Sequence, residues 1–272
     1  MSTSTSTPSH ILTGPHLHIA WSTRILSVIR DIMVLFVKEC PPLWSTFLQG
    51  SRNPRADMEG PYYIMGAPDR QVEDGKAVLA TAEELKAYSP YLMTIVVTSP
   101  KGTPVPHATF DWWQADGAGS YSNTTYRFRG KFKADVRGVV EVLTVAPGEY
   151  GPQGYQRAGH FHVIIGPGPE AKSLEPLTTQ LYVCPDNDAN KMGTDFLNYV
   201  RSPRRGNMNQ SWGISAANGS VPFKGFPELD VADTETVARV ARWNQKLTGD
   251  GLRIVAGAQT EIRLNEKGWS LL

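Results

Sequence analysis

The sequence predicts a mainly β protein: a β-sandwich with a short N-terminal helical segment and a C-terminal helix. Between residues 90 and 187, short stretches rich in β-branched and aromatic residues alternate with Gly, Pro, Asn and Asp at regular intervals. Helical periodicity flanks this region, and no repeat of solenoid or propeller length appears. This strand rhythm is typical of a sandwich with hairpin and Greek-key connections. The stretches are "YLMTIVVTSP", "ATFDWWQAD", "YRFRGKFKAD", "GVVEVLTVAPG", "GHFHVIIGPG" and "LTTQLYVCPDN".

Residues 1–55 are predicted to be a disordered tail followed by a helical, dimerising segment. The start, "MSTSTSTPSH", has no basic region followed by an apolar core, so it indicates a tail and not a secretory signal. Residues 19–48 have helical character, but four charged residues interrupt the apolar run, which favours an amphipathic helix packed on the protein or on a second subunit. Binding to a membrane surface is the alternative. The four are Arg30, Asp31, Lys38 and Glu39.

Residues 56–272 are predicted to form the β-sandwich catalytic domain. A loop-rich passage precedes "TAEEL", in which Thr81 and Glu84 have the spacing of a capping box. After the strand region, the polar stretch "SPRRGNMNQSWGISAANGS" indicates a loop, and "LRIVAGAQTEIRL" indicates one or two closing strands.

The C-terminal helix is predicted in "DTETVARVARWNQKL". Asp233 or Thr234 is expected to cap it, because short polar side chains accept hydrogen bonds from free N–H groups in the first turn. The buried stripe is predicted to consist of Val237, Val240 and Leu247, which recur at helical spacing.

Composition narrows the choice of partners and compartment. The chain has 27 basic and 26 acidic residues without a like-charged block, so nucleic acid and anionic membranes are not expected partners. Two isolated cysteines suggest neither a disulfide framework nor a zinc knuckle. A cytoplasmic protein that binds small molecules or its own copies is therefore expected. The sequons at Asn123, Asn209 and Asn218 would matter only on export.

The stretch "GHFHVII" holds the first candidate site residues. His160 and His162 stand two apart in a predicted strand, so both imidazoles point to the same face. The spacing is not specific, because His16 and His18 repeat it near the start of the chain. Only the later pair lies in a core strand, where buried imidazoles need partners and a metal ion could serve both.

The residue types that accompany the two histidines indicate which metal ion such a site would bind. A ferrous site of two histidines and one carboxylate, or a cupin-type Fe(II) or zinc site, needs a nearby acid, but Gly166 and Pro167 occupy the cupin glutamate positions. Tyrosines stand at two strand-to-turn junctions instead, Tyr121 in "WWQADGAGSYSN" and Tyr150 in "APGEYGPQG". Each taken alone is explained by packing and one hydrogen bond.

Five segments, in order, resemble those of the intradiol ring-cleavage dioxygenases, the family of catechol, hydroxyquinol and protocatechuate dioxygenases. They are "EGPYYIMGAP", "FDWWQADGAGSYS", "VAPGEYGPQ", "QRAGHFHV" and "LTTQLYV", between Met58 and Asp186. The resemblance implies one Fe(III) per subunit, with Tyr121, Tyr150, His160 and His162 as its ligands. It also implies cleavage of a catechol-type ring between its two hydroxylated carbons by O2, giving a cis,cis-muconate-type diacid.

The resemblance further implies roles for individual residues. Tyr150 corresponds to the tyrosine that leaves the metal when substrate binds and serves as a base. Arg157 and Gln180 correspond to residues that stabilise charge on the substrate. The substrate pocket is expected to include Arg157 and four residues of the first segment. These four are Gly60, Pro61, Tyr62 and Met65.

Some features depart from the family pattern. Ala158 and Gly159 stand where the family has Pro-Ala before the first histidine, which frees a turn and puts the position of Arg157 in doubt. Tyr62 occupies a position that usually carries a smaller or apolar residue, so it is expected to narrow the pocket, to contact an extra hydroxyl of the substrate, or only to pack against its neighbours. A homodimer joined through residues 19–48 is expected from the family. A non-catalytic β-sandwich binding domain is the further alternative.

Overall fold

The computed structural model describes residues 11–39, 53–184, 195, 207–215 and 225–268. In these ranges ten strands and three α-helices form, so the predicted mainly β class is confirmed. The strands are β1 (Gln71–Glu73), β2 (Lys76–Val78), β3 (Pro90–Thr98), β4 (Thr109–Gln114), β5 (Arg129–Lys133), β6 (Val139–Val145), β7 (His160–Gly166), β8 (Leu177–Cys184), β9 (Met208–Gly213) and β10 (Ala256–Arg263).

The ten strands are hydrogen-bonded into one sheet in the order β1-β2-β6-β3-β10-β9-β8-β7-β4-β5. The sheet nearly closes on itself, because Lys131 in β5 exchanges backbone hydrogen bonds with Pro68 and Arg70 next to β1. One apolar core fills the interior, and strands from both halves of the order contribute to it, for example Met93 of β3 and Phe161 of β7. The sheet therefore surrounds the core as a barrel-like layer.

Helix α1 (Trp21–Met33) continues into a π-helical turn (Val34–Lys38). Ser27 and Asp31 are buried against the body of the protein, whereas most apolar residues of the helix are exposed. The predicted helical segment 19–48 is thus helical up to residue 38, and residues 40–48 lie outside the described ranges. Among the helices that the structure describes, none combines the length and apolar character required to cross a bilayer.

Helix α2 (Ala82–Tyr88) begins with the predicted capping box, in which Thr81 and Glu84 each bind the other's backbone N–H. Helix α3 (Thr234–Leu247) is capped by Asp233. Its second half buries Val240 and Leu247 as predicted.

The predicted burial of Val237 in α3 is wrong, because this side chain is 37% exposed. Arg239 and Trp243 face the sheet instead. Arg239 Nε donates to Glu141 Oε1 at 2.9 Å, and Trp243 Nε1 donates to Glu141 Oε2 at 2.7 Å. A carboxylate on β6 thus sets which side of the helix is buried, and apolar spacing alone does not show it.

The prediction of a loop over "SPRRGNMNQSWGISAANGS" is wrong for its central part. Met208–Gly213 forms β9, which pairs with β8 in parallel and with β10 in antiparallel orientation. Asn209 and Ser211 are buried here. Residues 202–206 and 216–220 of that stretch, including the sequon at Asn218, lie outside the described ranges, as do residues 1–10 and Cys40.

Candidate metal centre

Strand β7 carries the two histidines of the candidate site. It lies between β4 and β8, with His162 opposite Trp113 on one side and Gln180 on the other. Phe161 and Val163, the residues interleaved with the histidines, belong to the apolar core. The alternation of a strand therefore aims His160 and His162 to one side, and their Nε2 atoms are 3.1 Å apart.

The hydrogen bonds of His160 fix which ring nitrogen can bind a metal. Its Nδ1 lies 2.6 Å from the carbonyl oxygen of Ala158, which can only accept, so Nδ1 carries the proton. Nε2 then presents its lone pair toward the site, the arrangement typical of metal-binding histidines. The indole of Trp113 stacks on His162 with 4.9 Å between ring centroids and 8° between planes. Burial, with the charges of Arg157 and Arg129, holds the pKa of His162 well below its ordinary value.

Two turns bring the tyrosines to the histidines. Tyr121 follows β4, and its Oη lies 3.2 Å from His162 Nε2. Tyr150 follows β6, and its ring centroid lies 5.6 Å from that of His160 and 5.3 Å from that of Tyr121. One strand and two separate turns thus bring together the four predicted ligands.

The turn that carries Tyr121 folds around Asp116. Its Oδ1 accepts hydrogen bonds of 2.9 Å from the backbone N–H groups of Ala118 and Ser120. Gly119 has a φ of +81°, and a Cβ there would lie 2.1 Å from the carbonyl oxygen of Glu149. A side chain at position 119 would therefore push apart the two turns that carry Tyr121 and Tyr150.

The phenols are uncharged in the protein alone. Burial raises the pKa of Tyr121 well above its ordinary value, and Tyr150 adds to the effect. Burial also raises the pKa of Tyr150. The site thus offers two imidazole nitrogens and two neutral phenols. A highly charged cation fits this donor set, because it would stabilise the phenolates that burial disfavours.

The structure disfavours a site made of two histidines and a carboxylate. Within the described ranges, no three His, Cys, Asp or Glu side chains are grouped closely enough to hold a metal ion. His162 Nε2 instead contacts the oxygen of a phenol, Tyr121 Oη, at 3.2 Å.

Arg157 lies beside the four ligands despite the missing proline. Its backbone exchanges hydrogen bonds with that of Tyr150, and its Nη1 lies 3.3 Å from Tyr150 Oη. Nη2 donates to Gln180 Oε1 and to Tyr182 Oη, both at 2.7 Å. Nε lies 3.1 Å from both carboxylate oxygens of Asp195.

The neighbours of Arg157 keep it charged. Burial alone would lower the pKa of its guanidinium, but Tyr182, Tyr150 and Asp195 raise this pKa well above its ordinary value. Gln180 is held in turn, because its Nε2 donates to the carbonyl oxygen of Met58 at 2.8 Å. A fixed cation and a fixed amide therefore flank the tyrosine turn.

The segment "EGPYYIM" (residues 59–65) closes one side of the site. Gly60 has a φ of +76°, and a Cβ there would lie 3.3 Å from His162 Cε1. The ring of Tyr62 stacks on Tyr121, with 4.4 Å between centroids and 10° between planes. Met65 lies farther along, where its N–H donates to Ser27 Oγ and its carbonyl accepts from Tyr126.

A cavity of about 440 Å³ opens between α1 and this segment. Pro61, Tyr62 and Tyr121 line it on the side of the candidate ligands. Met65 is not one of the residues that line this cavity. Its predicted contact with substrate therefore remains a prediction.

Several residues at the site were not predicted from the sequence. Asp195 lies beyond the last segment of the family resemblance, and Trp113 lies within the second segment without a predicted role. Arg129 is 2% exposed and donates to the carbonyl oxygens of Tyr62 and Ser122. An arginine within the aromatic strand stretch "YRFRGKF" was the available signal, because a cation is rarely buried without a role.

The following known proteins, to which this chain is similar, are all dioxygenases. A family model described as "Dioxygenase" matches residues 58–203. Chlorocatechol 1,2-dioxygenase of Pseudomonas sp. (strain P51) is 31% identical over 153 residues, which cover 49% of this chain and 57% of the relative. Catechol 1,2-dioxygenase 1 of Acinetobacter lwoffii is 29% identical over 147 residues, 46% of this chain and 45% of the relative. The chain thus spans about half the length of these relatives.

Solved structures resemble the fold over most of the chain. Catechol 1,2-dioxygenase of Acinetobacter radioresistens superposes with a TM-score of 0.58 at 19% identity, covering 91% of this chain and 72% of that one. Hydroxyquinol 1,2-dioxygenase of Pseudomonas putida gives a TM-score of 0.53 at 16% identity, covering 90% and 81%. At these identities the likeness supports a shared fold.

Proposed function

This chain belongs to the intradiol dioxygenase family, and we propose that it cleaves a catechol-type ring between its two hydroxylated carbons with O2. The product would be a cis,cis-muconate-type diacid that contains both oxygen atoms. The observation that carries this proposal is the meeting of two phenols and two imidazoles around one point beside a buried arginine.

The cofactor we propose is one Fe(III) per subunit, held by Tyr121, Tyr150, His160 and His162. Their neutral nitrogens and hard phenolic oxygens suit a ferric ion better than a ferrous one. Bound there, ferric iron would keep the phenols deprotonated and make a vicinal diol acidic enough to bind as a chelate. The fixed tautomer of His160 supports this assignment, since it leaves Nε2 free to coordinate.

The surrounding residues of the chain would position substrate and move protons. Tyr150 Oη can take a proton from an incoming hydroxyl, and Arg157 Nη1, 3.3 Å away, stabilises negative charge at that oxygen. Gln180, held by Arg157 and by the Met58 carbonyl, would orient the ring. Trp113 covers one face of His162 and excludes water there. These are preorganised dipoles and charges of the kind that lower barriers in buried sites.

Purified protein loaded with iron tests the proposal directly. Phenolate-to-ferric charge transfer should colour it burgundy, and Tyr150→Phe should shift the absorption band. O2 uptake should follow the addition of catechol, hydroxyquinol, pyrogallol or protocatechuate, and the panel identifies the preferred ring. Colourless protein with stoichiometric zinc would favour a cupin-like enzyme. Protein that binds no metal would favour a binding domain.

A homodimer through α1 is the assembly we propose. Met33 at the end of α1, and Phe36 and Val37 in the π-helical turn that follows, are each between 58% and 69% exposed, and a second subunit could cover this apolar surface. Sedimentation should give twice the 29.9 kDa chain mass, and replacing Met33 and Phe36 by lysine should give the monomer. A wild-type monomer at micromolar concentration would contradict this assembly.

Two finer statements complete the proposal. We infer that the two halves of the sheet behave as the layers of a β-sandwich, because side chains from both halves share one core. We also propose a cytoplasmic location, which the small number of cysteines supports. Fractionation of the source cells tests the location.

A further inference from the structure

The cavity beside Tyr121 is large for a single aromatic ring. Its volume of about 440 Å³ lies within the range of pockets that hold drug-sized ligands, roughly 300–1,000 Å³. The walls are mostly apolar. Those on α1 include Trp21, Ile25, Val28 and Ile29, and those opposite include Pro61, Tyr62 and Ile64. Of the four candidate ligands, Tyr121 alone lines the cavity, so a group bound there would contact the ring whose Oη faces His162.

Arg129 supplies the polar group of this cavity. It lines the cavity, yet only 2% of its surface is exposed. Nη1 donates to the Tyr62 carbonyl at 2.6 Å and Nη2 to the Ser122 carbonyl at 3.0 Å. Its Nε has no hydrogen-bond partner among the residues that the structure describes. A buried donor without an acceptor is costly, so a ligand acceptor at this position would be favoured.

The charges around the cavity also favour an acceptor oxygen. Arg24 and Arg129 are its two cations, and Asp31 is the one carboxylate among its lining residues. Burial raises the pKa of Asp31 to about 7, so near neutral pH this acid carries only part of its charge. The balance of charge in the cavity is positive, which suits a carbonyl or carboxylate oxygen at the end of an apolar group.

We propose that the preferred substrate is a catechol whose ring carries a bulky, largely apolar substituent with a terminal acceptor oxygen. The substituent lies between α1 and Tyr62, and its oxygen accepts a hydrogen bond from Arg129. This inference rests on the proposed function, because the diol must be held at the metal centre for the substituent to enter the cavity.

The binding part of the inference can be tested without iron. The probe is 3,4-dimethoxybiphenyl-4′-carboxylate, whose methoxy groups prevent chelation, and calorimetry with metal-free full-length protein gives its Kd. Dimethoxybenzene, which lacks the second ring, should bind about tenfold more weakly or worse, because each buried apolar group adds to affinity. Dimethoxybiphenyl without the carboxylate should fall between the two.

Two neighbouring residues of α1 provide a matched pair of variants. Ile25 lines the cavity, whereas Leu26 is not one of its lining residues and is 55% exposed. Ile25→Trp should occupy part of the cavity and raise the Kd of the carboxylate probe about tenfold or more, because the indole takes the space that the probe needs. Leu26→Trp adds a large side chain outside the cavity lining and should leave this Kd unchanged. Arg129→Met should abolish the preference for the carboxylate over the plain biphenyl.

The outcomes separate this inference from the proposed function. Equal Kd values for wild type and Ile25→Trp, or probe binding no tighter than that of dimethoxybenzene, would overturn the cavity assignment even if iron-loaded enzyme cleaves catechol. Conversely, tight Ile25-dependent binding in protein that consumes no O2 with any catechol would leave the cavity in place and overturn the dioxygenase assignment. If Arg129→Met does not fold, Ile25→Trp and the probe series still decide.

Discussion

Two His-x-His pairs in one chain have opposite surroundings. His16 and His18 lie near the start of the described residues: His16 is half-buried against Glu84, with 2.9 Å between Nε2 and Oε2, and His18 is exposed. His160 and His162 are 1% and 0% exposed, and their Nε2 atoms are 3.1 Å apart. Identical spacing thus gives a histidine–carboxylate hydrogen bond in one place and a paired set of buried nitrogens in the other.

What separates the pairs is the register of the neighbouring elements. Beside His16 the nearest polar groups are Glu84 and Arg70, which bind its two ring nitrogens. Beside His162 they are Tyr121 and the other imidazole. The first arrangement already satisfies both nitrogens of one ring. The second places lone-pair donors around a common point, so only the later pair is suited to a metal ion.

The largest effect is expected from a comparison of two alanine variants, one in each His-x-His pair. His162→Ala should remove one of the four proposed ligands, so iron content after reconstitution should fall below one tenth of wild type and ring cleavage with it. His18→Ala should retain full iron and colour. Metal analysis and visible absorption measure both. Iron retained by His162→Ala would break the distinction between the two sites.

The next largest effect, a loss of kcat, is expected when an arginine at the candidate site is replaced by lysine. Arg157→Lys keeps the charge but cannot reach Gln180, Tyr182 and Asp195 together, so kcat should fall on the order of a hundredfold. Arg70→Lys, beside His16, should leave kcat within a factor of about two. Steady-state O2 uptake measures both. Equal losses in the two variants would show that Arg157 acts only through stability.

The contact between His16 and Glu84 should affect the stability of the protein at acidic pH. Although partial burial opposes it, hydrogen bonds from His16, the Thr81 N–H and Arg127 hold the pKa of Glu84 at about 2. A carboxyl with a lowered pKa contributes stability above its ordinary pKa and loses it as pH falls toward the lowered value.

Glu84→Gln should therefore destabilise the protein at pH 7 by about 1–2 kcal/mol, with solvent screening taken into account. It should also flatten the fall in stability between pH 4.5 and 2. Urea unfolding at several pH values measures this. An unchanged slope would show that the ion pair contributes nothing.

An effect of similar size is expected at Gly60. Alanine there would adopt an unfavourable positive φ and meet His162 Cε1 at 3.3 Å, so the free energy of unfolding should fall by about 1–2 kcal/mol. The charge-transfer band should shift slightly as His162 moves. Gly102→Ala is the control: it shares the positive φ, has open space, and should lose stability without a change in colour.

The strands could be predicted where side chains alternate around an apolar core. Six of the quoted stretches contain β3 to β8, because each carries β-branched or aromatic residues at core positions. β9 could not, since Asn209 and Ser211 are buried polar residues whose partners come from distant chain positions: the Asn209 amide donates to the Tyr182 carbonyl. Its pairing depends on long-range hydrogen bonds that local composition does not reveal.

The candidate site was predictable as residue types in ordered motifs, and the structure brings those residues together. The residues that hold these side chains in place were harder to predict from the sequence. Asp195 reaches Arg157 from 38 positions away along the chain, and nothing in its local sequence marks this contact. Arg129, 8 positions from Tyr121, stands in an aromatic strand stretch that indicates burial but not which residues it contacts. Long polar side chains act at distances that sequence spacing does not encode.

The interleaving of His160 and His162 with Phe161 and Val163 in β7 bears on folding. If β7 paired one residue out of register, the two imidazoles would enter the apolar core, and the side chains of Phe161 and Val163 would face the tyrosines. If the proposed site binds iron, the iron captured per chain would therefore measure the fraction of chains in which β7 is correctly aligned.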